Sequence, residues 1–115
     1  MLKNFLSVIL LAVAMLFVGS NPVSAKDVYI ESDYGGRRDI YIVTESINKR
    51  EANTVKVTLK FIKNGKLDYT EHRIYAKPEG DMWWMSSEEA NREGLRPTRV
   101  WEPQEDKILQ YCLRY

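Results

Sequence analysis

From Thr54 to Ile62 apolar and polar residues alternate: Val55, Val57, Leu59 and Phe61 against Lys56, Thr58 and Lys60. A period of two puts the apolar side chains on one face of a strand and the polar ones on the other. This is the pattern of an antiparallel sheet with one face on a core and one face wet. Asn64-Gly65 follows, a strong hairpin signal, and Lys66 to Tyr75 is the expected partner strand. Matching polarity across the pair selects the register. A loop of Lys63 to Gly65 sets Phe61 opposite Leu67, Leu59 opposite Tyr69 and Lys60 opposite Asp68. A two-residue loop sets Phe61 opposite Asp68, so the longer loop is expected.

The same reading extends in both directions. Val28 to Ile30 is a short β-rich run, Ser32 to Gly36 a turn, and Asp39 to Ile47 a strand dense in β-branched and aromatic residues. The two runs are expected to form a hairpin, and Asn48 to Asn53 a polar loop. Lys77 to Asp81 is a second turn. Met82 to Ser86 reads as a strand with bulky groups on both faces. Ser87 to Gly94 has the polarity of a single helical turn, and Pro97 to Trp101 that of a last short strand. Pro103 then suits a first helical position. Glu105 and Asp106 complement the helix dipole at its start and Arg114 at its end. Ile108, Leu109 and Cys112, with Tyr111 and Tyr115, form the apolar face of that helix. The fold class is α+β: a small antiparallel sheet of four to six strands packed against one C-terminal helix.

The N-terminus has a different pattern. Lys3 gives a basic start, Phe5 to Val18 is almost wholly apolar, and Gly19, Asn21 and Pro22 break any helix before Val23-Ser24-Ala25. This order is that of a secretory signal peptide, residues 1–25, cut after Ala25. The apolar run falls short of the roughly 20 residues that cross a bilayer. What remains is one small α+β domain, residues 26–115. The expected location is outside the cytoplasm: periplasmic, secreted or at the cell surface. No stable membrane insertion is expected after cleavage.

Composition narrows the chemistry. The chain has 115 residues, 17 Lys and Arg against 16 Asp and Glu, one His and one Cys. The near balance argues against a dedicated nucleic-acid binder. Removing the segment with Lys3 leaves no net charge, so only local patches can steer a partner. A single Cys precludes an internal disulfide framework, and one His with one Cys leaves a zinc site short of ligands. The reading therefore holds no metal and no cofactor. Cys112, on an apolar helix face, is either an inert core thiol or the source of an intermolecular disulfide. His72 falls on the wet face near Lys56, and no Ser lies in a strained nucleophile turn. Glu88-Glu89 and Glu105-Asp106 are neighbours on helical segments and do not face one another. No catalytic residue is assigned.

The candidate binding residues are aromatic and basic. Trp83 and Trp84 are adjacent, so on a strand one points into the core and the other outward. An exposed Trp supplies a rigid contact area of the kind enriched at binding hot spots. Tyr34 and the pair Arg37-Arg38 join them as tentative binding residues, with Tyr29, Tyr41 and Tyr75 as further aromatics.

Trp101-Glu102-Pro103, followed by Ile108-Leu109-Gln110-Tyr111-Cys112, adds a further clue. Together with the signal segment and the short sheet domain, it resembles the small exported domains of the surface-adhesin protein E type. It is also similar to small exported proteins of diderm Firmicutes. The resemblance implies an antiparallel sheet with a C-terminal helix and a binding role at the cell surface. The expected function is an exported, non-catalytic binding module. It would contact a host or envelope protein, or a glycan, through exposed aromatics. The alternative is a small periplasmic inhibitor or accessory subunit that pairs through a sheet edge.

Overall fold

The computed structural model describes residues 22–33 and 35–115. The apolar stretch from Phe5 to Val18 and Tyr34 lie outside the described residues. Six strands run β1 (Asp27–Ser32), β2 (Asp39–Asn48), β3 (Thr54–Lys63), β4 (Lys66–Ala76), β5 (Trp84–Ser87) and β6 (Thr98–Arg99). They form one antiparallel meander in sequence order. A short helix α1 (Glu88–Arg92) lies between β5 and β6, and α2 (Pro103–Arg114) closes the chain. The small α+β fold expected from the sequence is the one observed.

The core forms where the alternation of β3 places it. Val55, Val57, Leu59 and Phe61 join Ile40 and Ile42 of β2, Tyr75 of β4, and Ile108, Leu109 and Cys112 of α2. Helix α2 thus covers one face of the sheet, with Pro103 at its start and acids in its first turn. Tyr115 departs from the expected helix face. It is 62% exposed, and its ring stacks with that of Tyr111, 6.3 Å away. It follows the last helical residue, so the helical spacing no longer fixes its direction.

The β3–β4 register differs from the expected one. Asn64 and Gly65 both take positive φ, 52° and 75°, so the turn closes in two residues and Lys63 pairs with Lys66. Asp68 then bulges out of β4, and Phe61 faces Tyr69 instead of Leu67. Their rings stack with centroids 4.4 Å apart. The bulge restores the cross-strand match that a plain two-residue hairpin would lose. It also puts Glu71 and Arg73 on the core side, opposite Leu59 and Val57. Arg73 Nε donates to Glu71 Oε1 at 2.7 Å, and its guanidinium also donates to the Tyr75 hydroxyl at 3.3 Å. That hydroxyl donates in turn to the Glu105 carbonyl at 3.3 Å. Burial pushes the Tyr75 hydroxyl up to about 12.

The expected strand from Met82 begins only at Trp84. Pro97–Trp101 contracts to Thr98–Arg99. Of the two edge strands, β1 carries a bulge, where Ile30 has no partner, and β6 is only two residues long; Asp68 bulges from the part of β4 that extends beyond β5.

Candidate binding surface around the tryptophan pair

Trp84 pairs with Ala76 of β4 on one side and Arg99 of β6 on the other. Residues opposite one another in an antiparallel ladder share a face. Ala76, Trp84 and Ser86 therefore stand together on the face away from α2. Trp83, one residue earlier, turns to the other side and packs against the core. Its carbonyl accepts from the Val100 amide at 3.0 Å, which ties the start of β5 to the segment after β6. The division of one Trp to each side is the one expected from strand geometry. Both indoles are half-buried.

Each indole borders its own depression. On the helix side a cleft of about 410 Å³ is lined by Asp81, Met82, Trp83, Arg99, Val100, Asp106 and Leu109. The Lys77 ammonium lies 5.3 Å from the centroid of the Trp83 ring. On the other side a groove of about 340 Å³ is lined by Ala76, Pro78, Trp84, Ser86, Arg96 and Pro97. Its walls are mainly apolar, and no acidic residue lines it.

Local sequence builds the second groove. The Ser87 side chain caps α1 by accepting from the Ala90 amide at 3.0 Å. Beyond the C-cap Glu93, Gly94 takes φ 77°, and the Gly94 amide bonds the Asn91 carbonyl and the Leu95 amide the Ala90 carbonyl. This double closure is a Schellman motif, and glycine suits it because the backbone is left-handed. The motif turns the chain so that Arg96 and Pro97 return beside Trp84. Leu95 is left 58% exposed next to them.

The basic candidates lie elsewhere. Arg38 sits at the far end of the sheet, paired with Asp33 and Asp68 and over the Tyr69 ring at 5.6 Å. Asp68 and Ala76 are eight residue steps apart on β4, roughly 26 Å along a strand. Arg37 is exposed, and its amide donates to Asp33 Oδ1. The structure does not join either arginine to the tryptophan pair. The sequence reading missed Pro78, Arg96 and Pro97, which no motif marks. It also missed Trp101, the most exposed indole at 74%.

The other candidate groups have local partners. His72 is on the outer face opposite Thr58, as polarity required. The neighbour that engages it is Glu89 of α1, whose Oε1 lies 2.7 Å from Nδ1 and accepts the His72 amide at 2.8 Å. Burial would raise the Glu89 carboxyl, but these contacts outweigh it and hold it below the ordinary range. Lys56 pairs with Glu51 instead. Glu88 meets Arg92 on its own helix. The Ser46 hydroxyl donates to the Val43 carbonyl and accepts the Thr58 amide. Cys112 is fully buried, and burial pushes its thiol up to about 11. Among the described residues no group of three or more His, Cys, Asp and Glu is placed to hold a metal ion. No helix among them is long and apolar enough to cross a membrane. No protein-family model, curated protein or solved structure matches the chain.

Proposed function

We propose that residues 26–115 form an exported, non-catalytic binding module that grips a protein partner through the Trp84 groove. One observation carries the reading: Trp84 stands on the sheet face that α2 leaves open, in a groove walled by Pro78 and Pro97. Proline has a fixed φ, so such walls lose little freedom on binding, and preorganisation of this kind favours affinity. The resemblance to surface-adhesin protein E type domains and the signal-like N-terminus support an extracytoplasmic site of action. The edge-pairing alternative has less support. Edge strand β1 is interrupted by the bulge at Ile30, the uncovered part of β4 by that at Asp68, and edge strand β6 is only two residues long, features that discourage strand addition.

The test is photo-crosslinking in exporting cells, with p-benzoylphenylalanine at position 78 and, as a control, at position 63 in the distant hairpin. A discrete product at position 78 that disappears with Trp84→Ala supports the reading. Equal products at both positions, or products indifferent to Trp84, overturn it.

A further inference from the structure

We infer that the occupant of the Trp84 groove is an acidic segment of a protein partner, one that presents an apolar side chain flanked by carboxylates. The inference rests on the binding-module reading and adds the chemistry of the ligand. The groove floor is apolar, formed by Ala76, Trp84 and the two prolines, and accommodates an aliphatic or aromatic side chain. Its charge is of one sign. Arg96 lines it, and Arg99, which also lines the helix-side cleft, stands opposite Trp84 in the β5–β6 pairing. Both arginines are exposed.

Lys26, Arg38, Lys56, Lys60, Arg73 and Arg92 each have a carboxylate partner within 4 Å. Arg96 and Arg99 have no such partner among the described residues, and neither have Arg37, Lys49, Arg50, Lys63, Lys66, Lys77, Lys107 and Arg114; what distinguishes Arg96 and Arg99 is their place beside Trp84. Two guanidinium groups without carboxylates, beside an indole, make a site complementary to an anion attached to an apolar group. A planar guanidinium matches a carboxylate through two parallel hydrogen bonds. Trp and Arg are also the residue types that dominate binding hot spots. With no net charge on residues 26–115, this local pair supplies the steering that the whole domain does not.

The cleft on the other side of β5 differs in kind. Asp81 and Asp106 line it together with Arg99, so two carboxylates face a single arginine, and the Lys77 ammonium already lies over the Trp83 ring. An acidic ligand is repelled there, so Trp84 is the indole expected to respond.

The experiment titrates the purified exported protein with three short synthetic peptides. Each carries one central leucine, flanked by glutamates, glutamines or lysines. The readout is the indole N–H resonance of Trp84 in ¹H–¹⁵N spectra, assigned by Trp84→Phe. The glutamate peptide is expected to bind at least tenfold more tightly than the lysine peptide and to weaken as salt rises. Arg96→Glu, at an exposed position, is expected to reverse that order, and Arg96→Glu with Arg99→Glu to reverse it further. Equal binding of all three peptides at Trp84, or an order unchanged by Arg96→Glu, overturns the acidic ligand and leaves the groove reading standing. A glutamate peptide that shifts only the Trp83 or Trp101 resonance, or shifts none, also overturns it. The crosslinking result at position 78 then decides the groove reading separately.

Discussion

The Lys60 ammonium lies 2.7 Å from Asp27 Oδ2, and the Asp27 side chain is only 1% exposed. This ion pair crosses from the edge strand β1 to the central strand β3, passing under the segment that precedes Asp27. Lys60 also donates to the Pro22 carbonyl, and the Ser24 amide donates to the same Asp27 oxygen. Burial by itself would raise the Asp27 carboxyl. Lys60 and Ser24 outweigh burial and hold it below the ordinary range.

Lys60→Met leaves a buried carboxylate unpaired, a change that costs about 3 kcal/mol. Urea unfolding at pH 7 measures it. A carboxyl with a depressed folded pKa adds stability that is present above its unfolded pKa, about 4, and is lost as pH falls through the lower folded value. The difference between wild type and Lys60→Met should therefore narrow below about pH 4. A difference that stays constant into acid would refute the pairing.

Cys112 should resist thiol reagents in the native state. Its thiol is buried beneath α2, and its raised pKa keeps it protonated at neutral pH. Labelling at pH 8 should be slower than in denaturant by on the order of 100-fold, because it requires local opening. Its folded pKa lies above the unfolded one, so the stability that this group contributes is lost as pH rises from about 9 through about 11. Rapid native labelling would show that α2 opens easily.

Helix α2 should be held by its buried stripe. Ile108 is fully buried, whereas Leu113 is 38% exposed. Ile108→Ala is expected to cost about 3 kcal/mol, within the range for large-to-small core substitutions. Leu113→Ala should stay within about 1 kcal/mol. Denaturant titrations of the two variants compare them directly, and equal losses would contradict the observed helix face.

Tryptophan emission should be dominated at its red edge by Trp101. That indole is 74% exposed, while Trp83 and Trp84 are half-buried. Trp101→Phe should shift the native maximum to the blue and remove most acrylamide quenching. If Trp84→Phe does this instead, Trp84 is more open than its groove indicates.

Much of the fold was legible because it depends on local periodicity. The alternation of Val55, Val57, Leu59 and Phe61 named the core face of β3. Asn64-Gly65 named the hairpin. Pro103, the acids that follow it, and Ile108, Leu109 and Cys112 named α2 and its buried stripe. The adjacency of Trp83 and Trp84 already required that they part to opposite sides, since successive residues near a strand alternate.

Tertiary structure decided what depends on pairing and loop geometry. The Asp68 bulge was invisible because polarity matching counts residues and cannot count one that leaves the ladder. With it came the stacking of Phe61 on Tyr69 and the pairing of Leu59 with Glu71 and of Val57 with Arg73. The linkage of His72 to Glu89 spans a separate helix, and no spacing rule predicts that contact. The groove at Trp84 draws on β4, the β4–β5 turn, β5 and the segment after α1. Sequence alone determined which side chains face the core and that the two indoles diverge, because backbone periodicity acts over a few residues. Only the folded sheet determined that Pro78, Pro97 and Arg96 meet at Trp84 while Arg38 lies at the far end, because such neighbours are set by strand register and chain reversal.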